Sequence, residues 1–141
     1  MSRPDVVALA RRWIGTPYHH QASCEGVGTD CLGLVRGVWR GLYGGEPCAV
    51  PAYSPDWAEA DRIEVLWRAA GEYLREIRRP PLPGDVVLFR MRANMIAKHL
   101  GIVAGDAGRM TFIHAYARHG VIESPFSAPW QRRAVAVFEF P

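Results

Sequence analysis

The spacing of apolar residues changes near residue 84. Before it they recur at three- and four-residue intervals, and after it they gather in short runs of branched and aromatic side chains. Residues 3–14 predict an amphipathic helix with Ser2 as N-cap and Val6, Val7, Leu9, Ala10, Trp13 and Ile14 as its buried stripe. Gly15 ends it, and Thr16-Pro17 cannot continue it. Residues 15–30 read as an irregular loop carrying Tyr18, His19 and His20. A second helix is predicted from Cys31 to Tyr43, stopped by Gly44-Gly45 and Pro47, with Gly33 and Gly37 on one face where another element can pack close. Residues 46–56 read as loop. Residues 56–79 read as a third helix, with Ile63, Leu66, Trp67, Ala70, Tyr73, Leu74 and Ile77 at helical spacing, and Trp67 and Tyr73 as core. Strands are predicted at Val86–Arg90, Leu100–Ala104, Met110–His114, Gly120–Glu123 and Ala134–Phe140. Helices first and strands second is an α+β pattern.

Composition narrows the class. A chain of 141 residues with 49% hydrophobic and 22% charged residues reads as one globular domain, residues 1–141, with enough core to stand without staples. No stretch approaches the roughly 18 apolar residues of a membrane span. The N-terminal residues lack the apolar core and cleavage site of a signal peptide, so the chain reads as made in the cytoplasm. A net charge of +3 favours anionic partners weakly. The arginines are scattered rather than bundled, which argues against direct nucleic-acid binding. Cys24, Cys31 and Cys48 are odd in number, so a complete disulfide framework is excluded. A Cys24–Cys48 bridge is open, but a cytosol-made chain argues for two small buried hydrophobes instead.

That leaves Cys31. Thr29 or Asp30 is a good N-cap, which sets Cys31 in the first turn of its helix, where the dipole and free amides favour an anion. A thiol there is expected to have a depressed pKa and to be partly thiolate near neutral pH. A thiolate needs a base. Gly105-Asp106-Ala107-Gly108 reads as a four-residue hairpin turn, and its symmetric closure sets His99 directly opposite His114 with Cβ atoms about 5 Å apart. One imidazole then acts as base while the other holds its tautomer. His119, in a polar turn, reads as surface.

These residues resemble the NlpC-type cell-wall peptidases of the papain-like cysteine peptidase superfamily. Trp13-Ile14-Gly15-Thr16-Pro17-Tyr18 is similar to the family's opening Gly-x-Pro-Tyr segment, and Asp30-Cys31-Leu32-Gly33-Leu34-Val35 to its nucleophile helix. Pro83-Gly84-Asp85-Val86-Val87-Leu88-Phe89 resembles a following strand, His99-Leu100-Gly101-Ile102-Val103 the strand of the base, and Ile113-His114-Ala115 the segment of the third polar residue. The resemblance implies N-terminal helices packed on a C-terminal antiparallel sheet of about five strands. It also implies hydrolysis of peptidoglycan stem peptides, usually at the bond from D-glutamate to meso-diaminopimelate. By position Cys31 is nucleophile, His99 base then acid, and His114 the orienting residue. Tyr18 stands beside the thiol and helps an oxyanion hole, and Asp30 caps the helix and is placed to meet a substrate amine. No metal or cofactor is implied. Leu32 departs from the family's Ser. The Asp-Cys-Leu-Gly form resembles the phage-type branch, whose members ride on tail or hub proteins of phages and gene transfer agents and act in the wall or periplasm of a target cell.

Three alternatives remain at this point. One is an amidase or acyltransferase on the same scaffold, and a second is a non-catalytic tail hub protein. The third is a structural zinc ion held by Cys24, Cys31, Cys48, His19 or His20, although those spacings fit no compact knuckle.

Overall fold

The computed structural model describes residues 3–47, 64–106 and 108–141. In chain order the elements are α1 (Arg3–Arg11), β1 (Ser23–Cys24), β2 (Gly28–Thr29), α2 (Cys31–Tyr43), α3 (Val65–Tyr73), β3 (Arg75–Ile77), β4 (Val86–Phe89), β5 (His99–Asp106), β6 (Arg109–Tyr116), β7 (Gly120–Pro125), α4 (Ala128–Arg133) and β8 (Ala134–Glu139). Six strands pair antiparallel in the order β3-β8-β4-β5-β6-β7, and β1 and β2 make a separate two-stranded ribbon. The α+β order expected from the sequence holds, and the sheet has six strands rather than about five.

Strand alternation gives the sheet two different faces. Leu88, Leu100, Ile102, Ile113, Ala115 and Phe138 bury one aliphatic core with Val6, Ala10 and Trp13 of the N-terminal segment and Leu34, Val35 and Val38 of α2. Val87, Phe89, Val103 and Phe112 point the other way and pack with Phe126 and the partly buried Trp130 of α4. Helix α2 lies close to its neighbours because of the two expected glycines. A methyl group on Gly33 would run into the Ala22 carbonyl, and one on Gly37 into the Trp13 ring.

The first helix stops at Arg11. The chain then tightens into three-residue hydrogen bonds, Trp13 N–H to Ala10 O and Ile14 N–H to Arg11 O, which turn Ile14 out to solvent. Ser2, Cys48 and residues 56–63 of the third predicted helix lie outside the described residues. The remainder of that helix ends at Tyr73. Leu74 is extended, and Arg75–Ile77 pair with β8 instead, because apolar residues at 74 and 77 suit an edge strand as well as a helix. Tyr73 is exposed rather than core, while Trp67 is partly buried and bonds Glu76 through its indole N–H. Cys24 is exposed at the end of β1, not a buried hydrophobe.

Candidate active site

Helix α2 begins at a well-made cap. Asp30 is extended and buried; its Oδ1 accepts from Gly33 N–H at 2.7 Å, and its Oδ2 accepts from Gln21 N–H at 2.8 Å. One carboxylate therefore starts the helix and ties down the loop before it. That loop is strapped again by Thr29 N–H to the Pro17 carbonyl and His19 N–H to the Thr29 carbonyl, both 3.0 Å. It is anchored to β7 by Gly15 N–H to Val121 O and Val121 N–H to Thr16 O. These ties set Tyr18, half-buried, within electrostatic reach of Cys31 and Asp30. His20 stands 3.9 Å from the Asp30 carboxylate.

Cys31, in the first turn, is partly exposed and packs with the aliphatic face. Its thiol donates to the Lys98 carbonyl at 3.5 Å, and the N–H groups of Leu100, Leu32 and Cys31 point at the sulfur. The sulfur thus touches backbone on both sides of His99. The expected depressed pKa is not found. Burial and the Asp30 charge outweigh the three amides and push the thiol up to about 12, so the resting group is S–H. Burial first, then the electrostatic influence of Cys31 and Asp30, pushes the Tyr18 hydroxyl up to about 12 as well, which keeps it a donor.

His99 and His114 do meet, though not by the expected register. The β5–β6 ladder pairs Ile102 with Ile113 and runs on to Asp106 with Arg109, so the turn is shorter than four residues. Asp106 Oδ1 closes it by accepting from Gly108 and Arg109 N–H, both at 3.0 Å. Continued to the histidines, this register sets Gly101 opposite His114 and leaves His99 diagonal to it. A shift of two residues keeps both side chains on one face. His99 Nε2 lies 2.8 Å from His114 Nδ1, and His114 Nε2 lies 2.9 Å from Ser124 Oγ. Both rings are buried among Phe89, Phe112, Tyr116 and Trp130, with the two imidazoles edge to face. Burial lowers His99 to about 4; burial, followed by repulsion from His99 and His119, lowers His114 to about 3. Both are neutral at pH 7.

Sulfur and imidazole therefore approach one point of β5 from opposite faces of the sheet. The resting thiol bonds to backbone rather than to the ring, and His99 Nδ1 carries no hydrogen bond among the described residues. A thiol, a neutral imidazole steadied by a second one, and amides aimed at the sulfur are the parts used in acyl transfer through a thioester. Among the described residues no three His, Cys, Asp or Glu side chains group to hold a metal, and no helix is long and apolar enough to cross a membrane. Neither Ser124 nor Trp130 stands out in the sequence as a site residue. Ser124 was findable from the even spacing along β7 that sets it on the face of His114.

Comparison with known proteins agrees with this architecture. The chain is 34% identical over 138 residues to a Gamma-DL-glutamyl hydrolase of Bacillus subtilis (strain 168), an alignment covering 96% of this chain and 29% of that protein. Its fold is similar to that of an NlpC/P60 family protein from Bacillus cereus, with a TM-score of 0.64, 17% identity and coverage of 99% of this chain and 40% of that one. It is also similar to a lipoprotein-like NLP/P60 protein from Staphylococcus aureus, with a TM-score of 0.62, 18% identity and coverage of 98% and 41%. The chain thus spans less than half the length of each. Residues 15–139 match the NlpC/P60 family, and the chain belongs to that family.

Proposed function

We propose that this NlpC/P60 domain is a cysteine peptidase acting on the peptide stems of peptidoglycan, with Cys31 as nucleophile, His99 as base then acid, and His114 as the residue that orients His99. The observation that carries this reading is the position of the Cys31 sulfur against the backbone on both sides of His99, whose ring is bonded to His114. The thiol proton passes to His99 Nδ1 as the sulfur attacks the scissile carbonyl. The oxyanion forms near the amides at the sulfur and the Tyr18 hydroxyl. The imidazolium then protonates the leaving amine, and a thioester remains. Water, deprotonated by His99, cleaves that thioester and restores the thiol. A neutral starting pair suits this route, because charge separates only when substrate is present.

For the bond, the name of the Bacillus subtilis relative supports a glutamyl carbonyl as acyl donor. We infer the bond from D-glutamate to meso-diaminopimelate. Asp30, which holds the start of the helix and the loop before it through two backbone amides, is the group placed to meet a substrate amine. The Asp30-Cys31-Leu32-Gly33 form supports a place on a phage-like tail or hub, opening the wall of a target cell for DNA delivery. Co-sedimentation of the chain with such particles tests that part.

Mass spectrometry of digested muropeptides tests the bond. A new amino terminus on diaminopimelate is expected. Release of the stem from its sugar would make the protein an amidase, and no released peptide would favour a structural role.

A further inference from the structure

The catalytic reading above leaves one polar group at the end of the imidazole pair unassigned, and the inference drawn from it rests on that reading. We propose that Ser124 is a positioning residue whose hydroxyl accepts from His114 Nε2–H, holding His114 in the tautomer that lets His99 Nδ1 act as base.

The sheet builds this contact as it builds the first one. In the β6–β7 ladder, Ile122 stands opposite His114 and Ser124 opposite Phe112, so Ser124 is two residues along from the direct partner. His99 is displaced by two from Gly101, the β5 residue that the continued register sets opposite His114, toward the start of its strand. Strands β5 and β7 run the same way, both being antiparallel to β6. His99, His114 and Ser124 therefore form a straight diagonal row across three strands, on one face. The row ends at Ser124, whose side chain is partly exposed.

Counting protons along the row assigns the role. His99 Nε2 is taken by His114, which leaves Nδ1 to accept the thiol proton. For Nδ1 to offer a lone pair, neutral His99 must carry its proton on Nε2, and His114 Nδ1 must accept it. Neutral His114 then carries its own proton on Nε2. That buried N–H needs an acceptor, and Ser124 Oγ, at 2.9 Å, is its partner. Remove the hydroxyl and the N–H is orphaned, whereas the reversed chain leaves a bare ring nitrogen at that end, which buried sites tolerate better. The reversed chain has His114 Nδ1–H donating to His99 Nε2, with the His99 proton on Nδ1. In that state His99 is no base for a thiol. A hydroxyl also serves where a carboxylate would not, since it accepts without drawing a full positive charge onto His114.

The test reads the tautomer and the turnover separately. Nitrogen-15 correlation spectra of the histidine rings in the intact chain at pH 7 should show His114 protonated at Nε2 and bare at Nδ1. Ser124→Ala should move His114 to the Nδ1–H form and lower kcat roughly five- to tenfold, about the worth of one neutral hydrogen bond, with KM nearly unchanged. Ser124→Thr keeps a hydroxyl and should restore both readouts. His114 protonated at Nδ1 in the unsubstituted chain overturns the proposal without any variant being needed. So does a Ser124→Ala protein that keeps both the Nε2–H signal and full kcat. Should the unsubstituted chain hydrolyse no stem peptide while His114 is Nε2–H, the peptidase reading fails and the tautomer assignment stands.

Discussion

The two faces of the sheet do different work with different materials. The aliphatic face seats α2 through Leu34, Val35, Val38, Leu100 and Ile102, and so decides where the Cys31 sulfur sits. The aromatic face surrounds His99 and His114 with Phe89, Phe112, Tyr116 and Trp130, and so decides their charge and the direction of their hydrogen bonds. Asp30 adds a carboxylate beside the thiol, whereas repulsion from His99, then from His119, adds to burial at His114. Burial dominates on both faces, yet it acts in opposite directions on pKa: up for the thiol, down for the imidazoles. Both groups end uncharged. The lesson is that position and protonation are set by separate halves of the structure, which makes them separable by experiment.

The largest expected effect is on the aromatic face. His99→Ala should lower kcat by about 10³-fold while the circular dichroism spectrum is kept. Next comes the seating of the helix. Gly33→Ala drives a methyl into the Ala22 carbonyl and the Thr29 hydroxyl, and should cost about 2 kcal/mol in urea unfolding. Gly71→Ala on α3 meets open space and should be neutral or slightly stabilising.

The pH dependence follows from the same burial. His99 and His114 titrate near 4 and 3 when folded, against about 6.5 when unfolded, so between these values the unfolded chain binds more protons. Stability should therefore be full above about pH 6.5 and fall as pH drops toward 4, measurable by thermal melts, with a shallower fall in His114→Asn. The acid limb of kcat/KM should lie near 4, not 6.5. The smallest effect belongs to the cysteine that touches neither face. Cys24→Ser should leave turnover unchanged and stability within about 0.5 kcal/mol.

Helix α2 was legible to the residue, because Asp30 caps it and Gly44 ends it in a left-handed turn. The pairing of His99 with His114 was legible as a shared face. Parity along a strand survives a two-residue error, and the error itself came from the tighter turn that Asp106 closes. Strand β3 was hidden, since Leu74 and Ile77 fit helical spacing and only the free edge of β8 selects the strand. The short α4, with Pro125 just before it and Pro129 in its first turn, showed too few turns for a period. The charge state of Cys31 was not readable at all. The helix dipole is visible in sequence, but the desolvation that overrides it depends on what closes over the sulfur.

One measurement bears most directly on the claim that the sheet brings a thiol and an imidazole into one reaction centre. Purified peptidoglycan is digested with the unsubstituted chain and with Cys31→Ala at matched concentration and matched melting temperature, and newly exposed diaminopimelate amines are counted by mass spectrometry. Cys31→Ala is expected to release none above background. Release within about tenfold of the unsubstituted chain would contradict it, and the nucleophile would have to be sought elsewhere in the fold.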